Sequence, residues 1–248
     1  MPIFADIAPQ ALAWIAAAAL VAGLVRGFSG FGTAMIYLPV AGQFLSPGAA
    51  LTALVIMDIV APMAMVPRAL RDGDPPDVLR LALGLALAMP LGVWVLTLVP
   101  AEVFRYAVSA LTLGLLVLLI AGFRYQGRLT PPMVTGTGAL GGLLGGSVGL
   151  PGPPVIMLYM ASPHPASAIR ANITLYLILA DIALITLLWL FGELVWNALA
   201  LGAALLIPYP IGIMVGGRLF VPEYEALYRA VAYVIIAVSA LSGLPVWD

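Results

Sequence analysis

The sequence predicts an all-α integral membrane protein of two inverted-topology repeats, about five helical segments each, with broken or re-entrant helices at the repeat interface. Three observations carry this. The 248 residues are 63% hydrophobic and only 8% charged, where a soluble domain has about 25% charged residues. Apolar runs approaching the ~20 residues of a bilayer crossing recur from end to end. Finally, Gly27-Phe28-Ser29-Gly30-Phe31-Gly32 and Gly145-Gly146-Ser147-Val148-Gly149-Leu150-Pro151-Gly152-Pro153-Pro154 interrupt those runs roughly half a chain apart.

Taken in order, the apolar runs predict helices near 8–26, 31–45, 48–66, 78–98 and 103–123. A second set follows near 132–147, 152–162, 167–191, 195–219 and 226–246. The segments 31–45 and 152–162 are short and read as half-helices or re-entrant arms. Residues 1–248 are expected to form a single transmembrane domain, with repeat 1 over 8–125 and repeat 2 over 130–246. An odd number of segments per half makes the second half enter from the opposite side, which inverts it. The halves also correspond in detail: Gly27 and Gly30 match Gly146 and Gly149. Pro100-Ala101-Glu102 with Arg105 resembles Pro222-Glu223 with Glu225 and Arg229.

All ten basic residues are arginine. With the N-terminus outside, Arg68, Arg71, Arg80, Arg124, Arg128, Arg170, Arg218 and Arg229 fall on the cytoplasmic side, Arg26 lies towards it, and Arg105 falls outside. The N-terminus lacks a basic leader region, and its first apolar run continues into the glycine motif, so targeting is expected from the membrane segments themselves. Trp94, Trp189, Trp196 and Trp247 suit an interfacial belt. The acidic run Asp72, Asp74 and Asp77 is expected to be a solvated loop. The absence of cysteine excludes disulfides, thiol redox relays and thiolate metal sites. The single histidine, His164, stands between Pro163 and Pro165 and cannot build a histidine metal cluster. No cofactor or metal is expected, and a net charge of -1 gives no attraction to nucleic acid.

A helix that restarts after a break presents unpaired N–H groups and the positive end of its dipole. Two such ends converging near the bilayer midplane would hold an anion without a basic side chain. The candidate substrate site therefore comprises Gly27, Phe28, Ser29, Gly30, Phe31, Gly32 and Thr33, together with Ser147, Gly149, Pro151 and Gly152. Ser29, Thr33 and Ser147 would add hydroxyl donors and Asn172 an amide, while Phe28, Phe31 and Tyr37 would wall the cavity. Arg26 and Arg170 adjoin these regions, and paired guanidinium N–H groups suit an oxyanion. Close helix packing is the competing account, and it suits Gly138, Gly141, Gly142 and Gly145. Asp58 and Asp181 lie within apolar helices and are candidates for binding a coupling proton or sodium ion.

Other classes fit less well. Gly27-Phe28-Ser29-Gly30 has the Gly-x-Ser-Gly form of an intramembrane serine hydrolase, but a nucleophilic serine needs a base and only His164 is present. A passive channel would repeat its polar lining, and here the polar residues cluster at two points.

The doubled motifs, leading to Leu38-Pro39 in one half and Tyr159 in the other, resemble the sulfite exporter TauE/SafE family, also called the TSUP transporters. Pro90-Leu91-Gly92 and Pro208-Tyr209-Pro210-Ile211-Gly212, each in the fourth segment of its half, support the likeness. The resemblance implies a secondary carrier, driven by an ion gradient, in the bacterial inner membrane. Its substrate would be a small anion such as sulfite, sulfoacetate or a related organosulfonate; a carrier of a non-sulfur organic anion is the alternative. The proline-rich Leu150-Pro151-Gly152-Pro153-Pro154 departs from the glycine-rich run usual in that family.

Overall fold

Backbone amides in hydrocarbon have only one another as partners. The computed structural model, which describes residues 7–63, 65–122, 129–159 and 165–247, meets that demand with helices and, among those residues, no strand. The helices are α1 (Pro9–Ser29), α2 (Thr33–Ala41), α3 (Pro47–Met63), α4 (Val66–Asp72), α5 (Pro75–Leu98) and α6 (Ala101–Ile120). After them come α7 (Pro131–Val148), α8 (Gly152–Tyr159), α9 (Ala166–Leu190), α10 (Trp196–Leu205), α11 (Pro208–Leu219) and α12 (Glu225–Ser242). Five stretches are long and apolar enough to cross a bilayer: α1, α5, α6, most of α9, and α10 with α11 taken together. The protein is thus an all-α, multi-pass membrane protein.

Two expectations need correction. The run 195–219 is not one helix, because α10 ends and α11 begins at Pro208. Proline has no N–H to donate, and its ring collides with the carbonyl four residues back. Leu206 and Ile207 instead close the turn with 3.2 Å bonds to Ala203 and Ala204. The polar interval after α3 is likewise not all loop: Val66–Asp72 forms α4, with Pro67 in the first turn, where a missing donor has no helical partner to lose.

The first motif does not break its helix at Gly27. Helix α1 continues to Ser29, and Gly30 (φ 80°) and Gly32 (φ 100°) then take the left-handed backbone that glycine tolerates best. The Gly30 amide closes α1 by donating to Arg26 O at 2.8 Å. In the second motif, α7 runs to Val148 and Gly149 (φ 73°) ends it, donating to Gly145 O at 3.0 Å. Pro151 follows, and α8 starts at Gly152.

The chain forms two compact units, neither of them one half of the sequence. The first comprises Met1–Asp58, Val99–Ile120 and Leu194–Asp248; the second comprises Ile59–Leu98 and Ala121–Glu193. Inside the first, α1 packs on α11 along a glycine seam. A Cβ on Gly23 would lie 2.2 Å from Tyr209 O, and one on Gly216 would lie 2.1 Å from Leu24 O. Gly27 and Gly212 belong to the same seam, with backbone at 2.4 Å and 2.2 Å from the missing Cβ. Inside the second unit α5 packs on α7 in the same way. Gly84 meets Thr135 O at 2.0 Å, Gly138 meets Leu81 O at 2.3 Å and Gly146 meets Met89 O at 2.5 Å from their absent Cβ positions. Without a hydrophobic drive between helices in lipid, such backbone contact is a main source of association.

These seams set a test. Gly23→Ala or Gly146→Ala should destabilise the purified protein by about 1–3 kcal/mol, as overpacking does. Gly114→Ala and Gly136→Ala, where a Cβ meets nothing within 4 Å, should be neutral or gain up to about 1 kcal/mol from helix propensity. Thermal melting in detergent reads both, and equal shifts at all four positions would refute the seams.

Candidate functional site

Arg26 lies in the last turn of α1, and three other helices supply oxygens around it. Its Nη1 donates to the Asp58 carboxylate of α3, to Tyr209 Oη of α11 at 3.0 Å and to Thr33 Oγ1 of α2 at 3.1 Å. The Thr33 and Tyr209 hydroxyls are 3.0 Å apart, and the Tyr209 hydroxyl also bonds Asp58. A nitrogen with two hydrogens thus shares them among three oxygens, which holds it tightly. The Arg26 and Asp58 side chains are each 17% exposed, while Thr33 and Tyr209 are buried.

Local chain chemistry puts each group there. Tyr209 sits in the first turn of α11 because Pro208 starts that helix, and its carbonyl is in the seam facing Gly23. Thr33 is the first residue of α2, whose cap, Gly32, contributes no side-chain bond. The opening amides of α2 therefore add partial positive charge beside Arg26. One carboxylate, Asp58, faces this cationic corner. The cluster directs positive charge and hydrogen-bond donors at one place, and the carboxylate held there is the chain's own Asp58.

The other expected site residues are distributed as follows. The Ser29 hydroxyl lies against its own backbone, 2.7 Å from Val25 O and 3.0 Å from Phe31 O. Ser147 donates to Leu143 O at 2.8 Å. Phe28 packs on Tyr228 with ring centroids 5.3 Å apart. Phe31 is half-buried, and Tyr37 is fully buried with no partner for its hydroxyl. Asn172 is also buried, and its Oδ1 accepts the Asp74 amide at 2.8 Å, pinning the turn between α4 and α5. Arg170 is exposed on α9 and lines a cavity with Arg68 and Asp72. Asp181 lies half-buried in the middle of α9. Arg26, Thr33 and Asp58 thus converge in the first unit, whereas Ser147, Gly149, Pro151, Gly152, Arg170, Asn172 and Asp181 belong to the second. His164 lies outside the described residues. Among the described residues, no three acidic or histidine side chains gather where a metal ion would sit.

Sequence reading missed Tyr209, although the Pro-Tyr-Pro run that positions it was visible. It also misread Asp77, which is 5% exposed rather than solvated. Its carboxylate accepts Arg80 Nη1 at 2.8 Å and Tyr159 Oη at 2.9 Å, while its amide donates to Asp74 Oδ1 at 3.2 Å. The reason is helix capping: Asp74 sits just before Pro75, so α5 starts there and turns Asp77 inward towards α8.

The family model described as Sulfite exporter TauE/SafE matches residues 15–242. The chain belongs to that family. No curated protein and no solved structure matches it. The TauE/SafE match takes in both glycine breaks and all four members of the Arg26 cluster, and it makes this a protein of a membrane transporter family.

Within this TauE/SafE protein, burial separates two aspartates of the same short run. Asp77→Ala should destabilise it by about 2–4 kcal/mol, because a buried charged acceptor and its partners are lost together. Asp72→Ala removes a 3.3 Å contact with the exposed Arg68 and should change stability by less than about 0.5 kcal/mol. Melting curves of the two variants provide the comparison, and similar losses would refute the burial argument.

Proposed function

We propose that this protein is a secondary transporter of a small sulfur-containing anion such as sulfite, sulfoacetate or a related organosulfonate. It works across the bacterial inner membrane by alternating access, and Arg26 is the substrate's receptor. The observation that carries the reading is the Arg26 guanidinium, half-buried between hydroxyls at the start of α2 and answered by the Asp58 carboxylate. A lone guanidinium inside an apolar bundle is costly, so Asp58 holds the site neutral when no substrate is present. A substrate oxyanion takes the place of that carboxylate, with Thr33 and Tyr209 supplying hydroxyl hydrogens. The displaced Asp58 is then the group available to a coupling proton or sodium ion. Sulfur chemistry comes from the family; oxyanion chemistry comes from the cluster.

The internal arrangement supports two inverted repeats. The first helix of the first half, α1, packs on α11, in the fourth segment of the second half. Reciprocally, α7 opens the second half and packs on α5, the fourth predicted segment of the first. A two-fold relation between halves generates such a reciprocal pairing, and the opening helix of each half, α1 or α7, ends in a glycine break.

A second substrate reading has its own observation. Asp58 is a carboxylate, so the cluster accommodates that geometry and an organic carboxylate is the competing cargo. The hydrolase reading lacks a base: Ser29 Oγ meets backbone groups only among the described residues.

Binding and counterflow in proteoliposomes test the proposal. Sulfite, sulfoacetate and isethionate should compete for one site, with acetate and succinate weaker. Arg26→Gln should weaken binding about 10- to 100-fold, the loss expected for charge-assisted hydrogen bonds. Asp58→Asn should tighten it, since a competing carboxylate is removed, while slowing net flux. Unchanged affinity in both variants would remove Arg26 from the site.

A further inference from the structure

A second charged group lies apart from the Arg26 cluster, wholly inside the second unit. Helices α4 and α9 enclose a cavity of about 260 Å³. From α9 it takes Ser167, Arg170, Ala171 and Thr174, whose spacing is one helical stripe. From α4 and the residue before it come Met65, Arg68, Ala69 and Asp72, again a single stripe. Two guanidinium groups and two hydroxyls thus face a shared space with a single carboxylate. Asp72 does not neutralise that space. It meets Arg68 only through Nε, at 3.3 Å, with the Arg68 side chain 85% exposed, and exposed pairs of this kind contribute little. Arg68 and Arg170 bring guanidinium groups to opposite walls of the cavity, so hydrogen-bond donors stand on both.

We propose that this cavity binds the phosphate of an anionic membrane lipid, held between Arg68 and Arg170 with Ser167 and Thr174 as hydroxyl donors. Phosphate suits paired guanidinium groups because each guanidinium presents a planar fork of donors and the phosphate oxygens accept them. The lipid source follows from α4. Leu70, 65% exposed, lies on the helix that also carries Arg68 and Arg71, and Met65, 52% exposed, caps its start. Bare apolar side chains interleaved with arginines are the pattern of a helix at headgroup depth. Size agrees: drug-sized pockets run to roughly 300–1,000 Å³, so this one takes a headgroup and leaves acyl chains outside along Met65 and Leu70. Arg170, expected from sequence to contact substrate, instead serves lipid in this reading.

The test uses the full-length protein in neutral detergent, with phosphatidylglycerol, phosphatidylcholine and inorganic phosphate as probes. Native mass spectrometry and melting shifts are the readouts. Phosphatidylglycerol should be retained at one per chain and raise the melting temperature; phosphatidylcholine and inorganic phosphate at equal concentration should do neither. R68Q, an exposed change that leaves the fold intact, should weaken retention several-fold, and R68Q/R170Q at least tenfold. R71Q, on the same helix but outside the cavity, should retain lipid as the native chain does. Equal weakening by R71Q would reduce the effect to diffuse attraction by a basic helix and overturn the site. Inorganic phosphate matching the lipid would overturn the lipid as its occupant, and unaltered retention by R68Q/R170Q would overturn the proposal outright. None of these outcomes depends on what the Arg26 cluster carries.

Discussion

A guanidinium inside an apolar helix bundle must be answered by acceptors, and the first unit is arranged around that requirement at Arg26. Its three recorded partners come from α2, α3 and α11, separated from it in sequence by 7, 32 and 183 residues. None of these helices has much else that is polar to offer. Removing any partner leaves charge exposed to a low-dielectric surrounding, which is far costlier than never having placed it there. The cluster therefore acts as a latch between helices, and the receptor role proposed for Arg26 would be added to that. A carrier needs both properties, since a ligand that replaces an internal latch shifts the equilibrium between conformations by its differential affinity.

The glycine seam and the charge cluster are one construction. Gly23 meets the carbonyl of Tyr209, the residue whose hydroxyl reaches Arg26, Thr33 and Asp58. Backbone contact between α1 and α11 brings the tyrosine within hydrogen-bonding range of Arg26. Any side chain at position 23 would move Tyr209 away from a site that it does not itself touch. Packing and chemistry are usually treated as rival accounts of membrane glycines, but at this seam they are successive links of one chain of cause. Gly27, which resembles part of a binding loop, acts through the same seam, and Gly30 and Gly32 alone supply the left-handed turn.

How much of this was legible in sequence depends on the range of the physics involved. Helix formation and the two breaks follow from local rules, and both were readable at Gly30–Gly32 and Gly149–Pro151. Arg26 and Asp58 were each conspicuous as charges in apolar surroundings, yet nothing in a single sequence says that they pair across 32 residues. Tyr209 carried no charge to draw attention, and its partners lie in other segments. Asp77 was misread for the opposite reason. Surrounded by Asp72, Asp74 and two prolines it looks solvated, and only the cap at Asp74 reveals that α5 has begun and that Asp77 faces inward. The split at Pro208 was a local signal outweighed by the length of the apolar run around it.

The two breaks are alike in backbone and unlike in chemistry. Thr33, Ala34 and Met35 open α2 with three amides, each with an N–H. Helix α8 opens with Gly152, Pro153 and Pro154, of which glycine alone carries one. A helix N-terminus attracts anions chiefly through these unpaired donors, so prolines at the start of α8 strip away most of what would make the second break a receptor. Among the described residues of the second unit, the arginines lie on α4, α5 and α9. In the proposed reading, anion recognition is therefore concentrated at the first break, and the prolines of the second have a different physical role. They stiffen the second break, holding φ near the helical value from the first turn of α8.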